Sequence, residues 1–144
     1  MFSSTTHIRI HYALTDQMGV VYYGNYAQLF EIARTEAIRK LGFTYKELEH
    51  MGVMMPVSDM HVHFRRPLFY DDLAAVEITI KELTGGKKVT FHGEIRNEKG
   101  EVCTTSDISL FFVDAATRKP VPMPAPLLDV LRPFFDNADP GNAQ

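Results

Sequence analysis

The spacing of apolar residues changes period twice along the chain. Ile8, Ile10 and Tyr12 alternate with His7, Arg9 and His11, the period of a half-buried strand that should end before Thr15 and Asp16. From Tyr26 the spacing lengthens. Tyr26, Leu29, Phe30, Ala33, Ala37 and Leu41 fall at i, i+3, i+4, i+7, i+11 and i+15, one face of a long helix. Asn25 with Gln28 has capping-box spacing, and Arg39, Lys40 and Gly42 supply a cationic last turn and a left-handed stop. Thr44 and Glu47 repeat the capping spacing for a shorter helix, with Leu48 and Met51 on its buried side and Gly52 at its end.

Beyond Pro56 the chain alternates again. Met60, Val62 and Phe64 oppose Asp59, His61, His63 and Arg65, and Val76, Ile78 and Ile80 oppose Glu77, Thr79 and Lys81, so each segment has a dry and a wet face. Gly85 and Gly86 form a tight turn into a fourth strand carrying Val89, Phe91 and Ile95. Asn97, Glu98, Lys99 and Gly100 turn the chain into a fifth, over residues 102–113. Consecutive hairpin-like links predict an antiparallel sheet. Strand, long helix and four further strands make an α+β domain, in which the long helix is the one large apolar object able to cover a sheet face. Pro126 at a first helical position, followed by Leu127, Leu128 and Leu131, predicts a closing helix stopped by Pro133. One domain over residues 1–135 is expected, with a flexible tail over 136–144.

Composition narrows the class. The 144 residues carry 15 Lys+Arg against 18 Asp+Glu, a net charge of −3, which disfavours a nucleic-acid binder working by counterion release. A single cysteine, Cys103, permits no intramolecular disulfide. No apolar run approaches the roughly 20 residues that span a bilayer, and the first residues lack the basic and apolar regions of a signal peptide. A cytoplasmic protein is expected.

Several chemistries have no motif here: there is no G-x-S-x-G elbow, Walker loop, Rossmann fingerprint or H-E-x-x-H. His61 and His63 share a strand face, a spacing open to a metal, but no third ligand is evident and scattered polar-face histidines are the plainer reading. Cys103 reads as a small buried hydrophobe.

The segment that resists a purely structural account is residues 15–26, T-D-Q-M-G-V-V-Y-Y-G-N-Y, joining the first strand to the long helix. A carboxylate at Asp16, just ahead of a helix start, lies near free backbone N–H groups that can polarise a carbonyl as charge develops on its oxygen. Gly19 and Gly24 would let backbone approach a ligand, and Val20, Val21, Tyr22 and Tyr23 are apolar enough to wall a pocket. An Asx-turn at Asp16 with buried aromatics is the plain alternative.

Together with F-E-I-A-R-T-E at 30–36 and R-P-L-F-Y-D-D at 66–72, this segment resembles the 4-hydroxybenzoyl-CoA thioesterase family of hot dog folds, including the YbgC-like acyl-CoA thioesterases. The resemblance covers nearly the whole chain. It implies a five-stranded antiparallel sheet wrapped around the long helix, and dimers, often joined as tetramers, with sites at the subunit interface. It implies that Asp16 is the catalytic carboxylate, nucleophile toward a thioester carbonyl or base for water, and that the Tyr23 backbone amide polarises that carbonyl. YbgC-like members commonly carry His where this chain has Tyr23, so this position matches the aromatic-CoA branch.

Gly19, Val20, Val21, Tyr22, Gly24 and Asn25 are then substrate-site residues. Glu31 faces a polar acyl tail, unless it pairs with Arg34 at i+3. Lys87 and Lys88, with Arg65 or Arg66, are the candidates for CoA phosphates. No metal or redox cofactor is implied. The expected activity is hydrolysis of an acyl- or aroyl-CoA to free acid and CoA, with 1,4-dihydroxy-2-naphthoyl-CoA as a rival substrate. A non-catalytic hot dog module that holds an acyl-CoA or carrier-protein thioester is the alternative.

Overall fold

Strands β1 (Phe2–Arg9), β3 (Val57–Phe64), β4 (Leu73–Ile80), β5 (Lys88–Arg96) and β6 (Val102–Phe111) form one antiparallel sheet in the order β1-β4-β5-β6-β3. The computed structural model describes residues 1–136. Helix α1 (Tyr26–Lys40) lies across one face of the sheet, and α2 (Tyr45–His50) follows it. A two-residue ribbon pairs β2 (Val53–Met54) with β7 (Val113–Asp114), and α3 (Ala125–Leu131) and α4 (Pro133–Asp136) close the chain. Beyond Asp136, which ends α4, the expected tail lies outside the described residues.

The helix forms where its period predicts. Tyr26, Leu29, Phe30, Ala33, Ala37 and Ile38 are buried, packed in one core with Val76, Ile78, Phe91, Ile95 and Ile108 of the sheet. Full burial of a large apolar side chain such as Phe30 or Leu29 contributes about 1.5–3 kcal/mol, so this face holds helix to sheet. Thr44 caps α2 as its spacing predicts, its Oγ1 accepting the Glu47 N–H at 3.1 Å. Met51, expected on the buried side, is exposed at the end of that helix. Pro133 does stop α3, but it also opens the single turn of α4, the position where a missing N–H costs nothing.

Two expectations about the sheet are corrected. β1 begins at Phe2 rather than His7, and Tyr12 lies beyond it in a 3-10 turn with its ring exposed. The run of Ser and Thr at 3–6 hid the strand, because its inward Ser4 is a hydroxyl and its outward Ser3 bonds across to Thr79 (Oγ to Oγ1, 2.8 Å). The links β4–β5 and β5–β6 are hairpins, but the link from β3 to β4 is not. β3 pairs with β6 at one edge, Val62 opposite Ser106 and Phe64 opposite Thr104, while β4 pairs with β1 and β5. Residues 65–72 carry the chain between them, and period-2 patterning marks dry faces without naming neighbours.

Candidate active site

Between two 3-10 turns, Tyr12–Leu14 and Tyr23–Asn25, the chain doubles back on itself. The Asp16 N–H donates to Val20 O (2.9 Å), Gly19 N–H to Asp16 O (3.0 Å) and Tyr22 N–H to Leu14 O (2.9 Å). Asp16 Oδ1 accepts the Met18 N–H at 2.8 Å, so the Asx-turn is present. That bond occupies one oxygen; Oδ2 accepts none among the described residues. Gly19 sits at φ +77 with open space where a Cβ would stand. That left-handed backbone is one that glycine adopts without strain, and it leaves this stretch of the loop open on its outer side.

Asn25 does not form the expected capping box. The 3-10 turn ahead of α1 holds it in helical backbone, and its Nδ2 donates to Leu14 O at 2.9 Å. It ties the helix start to the loop instead. At Gly24 a Cβ would stand 2.6 Å from the Tyr22 ring, so the missing side chain makes room for that ring.

A cleft of about 280 Å³ opens beside the helix start, lined by Val21, Tyr23, Tyr26, Phe64, Arg65, Arg66 and Pro67. Val21, Tyr23 and Arg65 thus meet in one place. Asp16 is not in its lining; the backbone of Val20, Val21 and Tyr22 joins the two. Tyr22 and Tyr23 stack at 4.5 Å with a 47° tilt, and Tyr26 meets Phe64 edge-on at 5.0 Å. A hydrogen bond and charge from Tyr23 raise the Tyr22 phenol above its ordinary pKa. Burial raises that of Tyr26, partly offset by Thr104 and the Leu68 amide.

Glu31 is exposed on α1, and the expected pair with Arg34 is not formed. Arg34 instead turns inward, only 6% exposed, with Nε donating to Tyr45 Oη at 3.0 Å and its guanidinium 5.9 Å from the Phe91 ring centre. No carboxylate among the described residues pairs with it. The sequence reading missed Arg34 because charge at i+3 spacing reads as a surface pair.

The cationic candidates separate. Arg65 lines the small cleft, whereas Lys88 lines another of about 530 Å³ with Lys81, Thr90 and His92, its Nζ 3.9 Å from Asp59. Lys87 accepts the Phe112 N–H at its carbonyl in the same hairpin. Arg66 pairs with Glu101 at 3.3 Å; the Asn97 hydrogen bond and then the Arg66 charge hold that carboxyl below its usual range. His92 bonds Asp107, which lies opposite His61 across β3–β6. Among the described residues no three His, Cys, Asp or Glu side chains converge as metal ligands would. A larger cavity of about 610 Å³ between α2, β2 and β7 includes Tyr45, Met54, Met55, Val113 and Arg118 and was not foreseen. Its sequence signal is the apolar run Val53, Met54, Met55, Pro56 in what reads as a loop.

A five-stranded antiparallel sheet packed against one long helix is the fold of the hot dog thioesterases. The chain belongs to the Thioesterase-like superfamily, whose family model matches residues 10–131. It is 38% identical over 121 residues to the putative acyl-CoA thioesterase YneP of Bacillus subtilis, covering 84% of this chain and 87% of that protein. It is 30% identical over 117 residues to the acyl-CoA thioester hydrolase YbgC of Escherichia coli, covering 81% and 87%. A DHNA-CoA thioesterase from Staphylococcus aureus superposes with a TM-score of 0.80 at 36% identity, over 95% of this chain and 86% of that one.

Proposed function

We propose that this chain is an acyl-CoA thioesterase, hydrolysing an acyl- or aroyl-CoA to the free acid and CoA, with Asp16 as its carboxylate and the Tyr23 amide at the helix start as oxyanion donor. The observation that carries the reading is the loop itself. Its hydrogen bonds make the Asp16 turn, the helix start and the aromatic cleft one unit, and among the described residues Asp16 Oδ2 is free of partners. As nucleophile, Asp16 attacks the thioester carbon, the C–S bond breaks, the thiolate leaves and gains a proton, and water cleaves the resulting anhydride. As base, Asp16 takes a proton from the attacking water and the same C–S bond breaks. Either route needs no cofactor beyond the CoA of the substrate.

The aromatic lining of Tyr23, Tyr26 and Phe64 favours an aroyl group, and 1,4-dihydroxy-2-naphthoyl-CoA is the specific candidate. Glu31 supplies a polar contact for the acyl tail, while Lys87, Lys88 and Arg65 meet CoA phosphates. Lys88 and Arg65 line different clefts of one chain, which fits a site assembled from two copies. The bare β3 edge, with Val57, Met60 and Phe64 about half exposed, supports a homodimer built through it and pairing further into a tetramer. No described helix is long and apolar enough to cross a membrane, and a lone cysteine suits the cytoplasm.

Thiol release across a panel of short, fatty and aromatic acyl-CoAs tests the reading. Catalytic release of CoA from aroyl substrates is expected. Tight binding with no release across the panel would make the protein a non-catalytic thioester-holding module.

A further inference from the structure

We infer that Asp72 is a positioning residue for the Asp16 loop, acting through the turn at residues 69–72. The turn lies in the crossing segment between β3 and β4 and is the loop's hydrogen-bonding partner. Val21 N–H donates to Leu68 O at 2.8 Å, Val20 bridges Phe69, and Tyr70 N–H reaches Gly19 O at 3.4 Å. The same turn grips the chain just before the loop: Ile10 N–H donates to Asp72 O (2.8 Å) and Asp71 N–H to Ile10 O (2.9 Å). Residues 10–21 are thus held at both ends by one short segment.

That segment is not held mainly by burying its own side chains. Leu68 is buried, but Phe69 and Tyr70 are half exposed. What closes the turn is the Asp72 carboxylate, whose Oδ2 accepts the Phe69 N–H at 2.8 Å, beside the return bond from Asp72 N–H to Phe69 O at 3.2 Å. A charged acceptor on a backbone N–H makes a stronger hydrogen bond than a neutral one. Asp71 sits at φ +69, a region where a residue other than glycine persists only if its surroundings over-determine it. Arg9 Nη1 donates to Asp71 O at 2.8 Å, and Glu98 accepts the Leu73 N–H at 2.9 Å, so the surroundings do. A strained turn, anchored on both flanks and paired with the reactive loop, fixes where that loop sits.

The inference deepens the thioesterase reading and uses its activity as one readout. Asp72→Ala removes the acceptor and is expected to lower kcat about 10- to 100-fold, the scale for small misplacement of a reacting group, with KM for the acyl-CoA changed by less than about three-fold. Asp72→Asn keeps an acceptor oxygen at the same reach and is expected to restore kcat to within about three-fold of wild type. Amide hydrogen exchange supplies a readout independent of activity: Val21 and Tyr70 exchange faster in Asp72→Ala, while Val76 and Ile95 in the core do not. Should Asp72→Ala fail to fold, Asp72→Glu keeps the charge but misplaces the oxygen and is expected to lose kcat as well. Wild-type kcat in a folded alanine or glutamate variant overturns the inference. So does an asparagine variant as impaired as alanine, or unchanged exchange at Val21. If the wild-type protein releases no CoA from any substrate, the thioesterase reading falls instead, and the exchange of Val21 alone decides whether Asp72 holds the loop.

Discussion

The two edges of the sheet are finished differently. At the β1 edge the chain covers itself: Phe2 is buried and packs edge-on against Phe134 at 5.0 Å, the Met1 amino group donates to Phe134 O at 2.9 Å, and Lys40 Nζ reaches Thr5 O at 3.2 Å. At the β3 edge no described element pairs with the outer side of the strand, and Val57, Met60 and Phe64 stand 52%, 47% and 54% exposed. An apolar strand edge left bare is a template for pairing. Phe64 belongs both to that edge and to the aromatic cleft, so whatever covers the edge also shapes the site.

The largest expected effect comes from removing the carboxylate proposed for the chemistry while leaving both edges intact. Asp16→Asn keeps an oxygen for the Met18 N–H and therefore the turn, but loses the charge. A fall in kcat of about 10²- to 10⁴-fold is expected, the range for one acid–base group, with acyl-CoA binding retained by calorimetry. Next is the edge comparison itself. If the proposed homodimer forms through β3, Met60→Lys should convert it to monomer on gel filtration and lower turnover with it, whereas Thr5→Lys on β1, also exposed, should change neither. A dimer that survives Met60→Lys and is lost in Thr5→Lys would reverse the assignment of the edges. A smaller effect is expected from Asn25→Ala, which frees the helix start from Leu14 O. The loss of one hydrogen bond contributes about 1 kcal/mol, read as a lowered midpoint in urea.

What could be read from sequence divides along the same line. The helix expected from Tyr26 to Leu41 spans Tyr26–Lys40, because an unbroken 3.6-residue period needs no partner to be recognised. The dry faces of β4 and β5 were equally legible in Val76, Ile78, Phe91 and Ile95. Strand neighbours were not, since alternation is the same whichever strand lies alongside. For the site, the segment at 15–26 was visible as an apolar, glycine-marked loop before a helix. R-P-L-F-Y-D-D at 66–72 carried part of the resemblance, but its pairing with the loop was not legible, because a left-handed Asp71 and a carboxylate-closed turn leave no periodic trace. Asn25 and Arg34 were misread for a related reason: spacing suggested local partners, and tertiary contacts with Leu14 and Tyr45 took both side chains instead.

The smallest expected effect concerns Cys103, whose carbonyl accepts the N–H groups of Arg65 and Arg66 just beyond the β3 edge, at 2.8 and 3.0 Å. Its thiol is buried, and burial pushes its pKa above the ordinary thiol value. The protonated form is the one the fold favours, so its contribution to stability is complete below the unfolded thiol's pKa and is lost as pH rises through the higher folded value. At pH 8 the native protein should therefore resist iodoacetamide while the same protein in guanidinium is alkylated fully. Because the sulfur lies in the hydrophobic core and the Cys103 carbonyl ties down the 65–66 backbone at the end of β3, its labelling rate also reports how often that end of the sheet opens. Rapid labelling in the native state, unchanged in Met60→Lys, would show that this end of the sheet opens within a single chain and that the proposed second copy does not hold it shut.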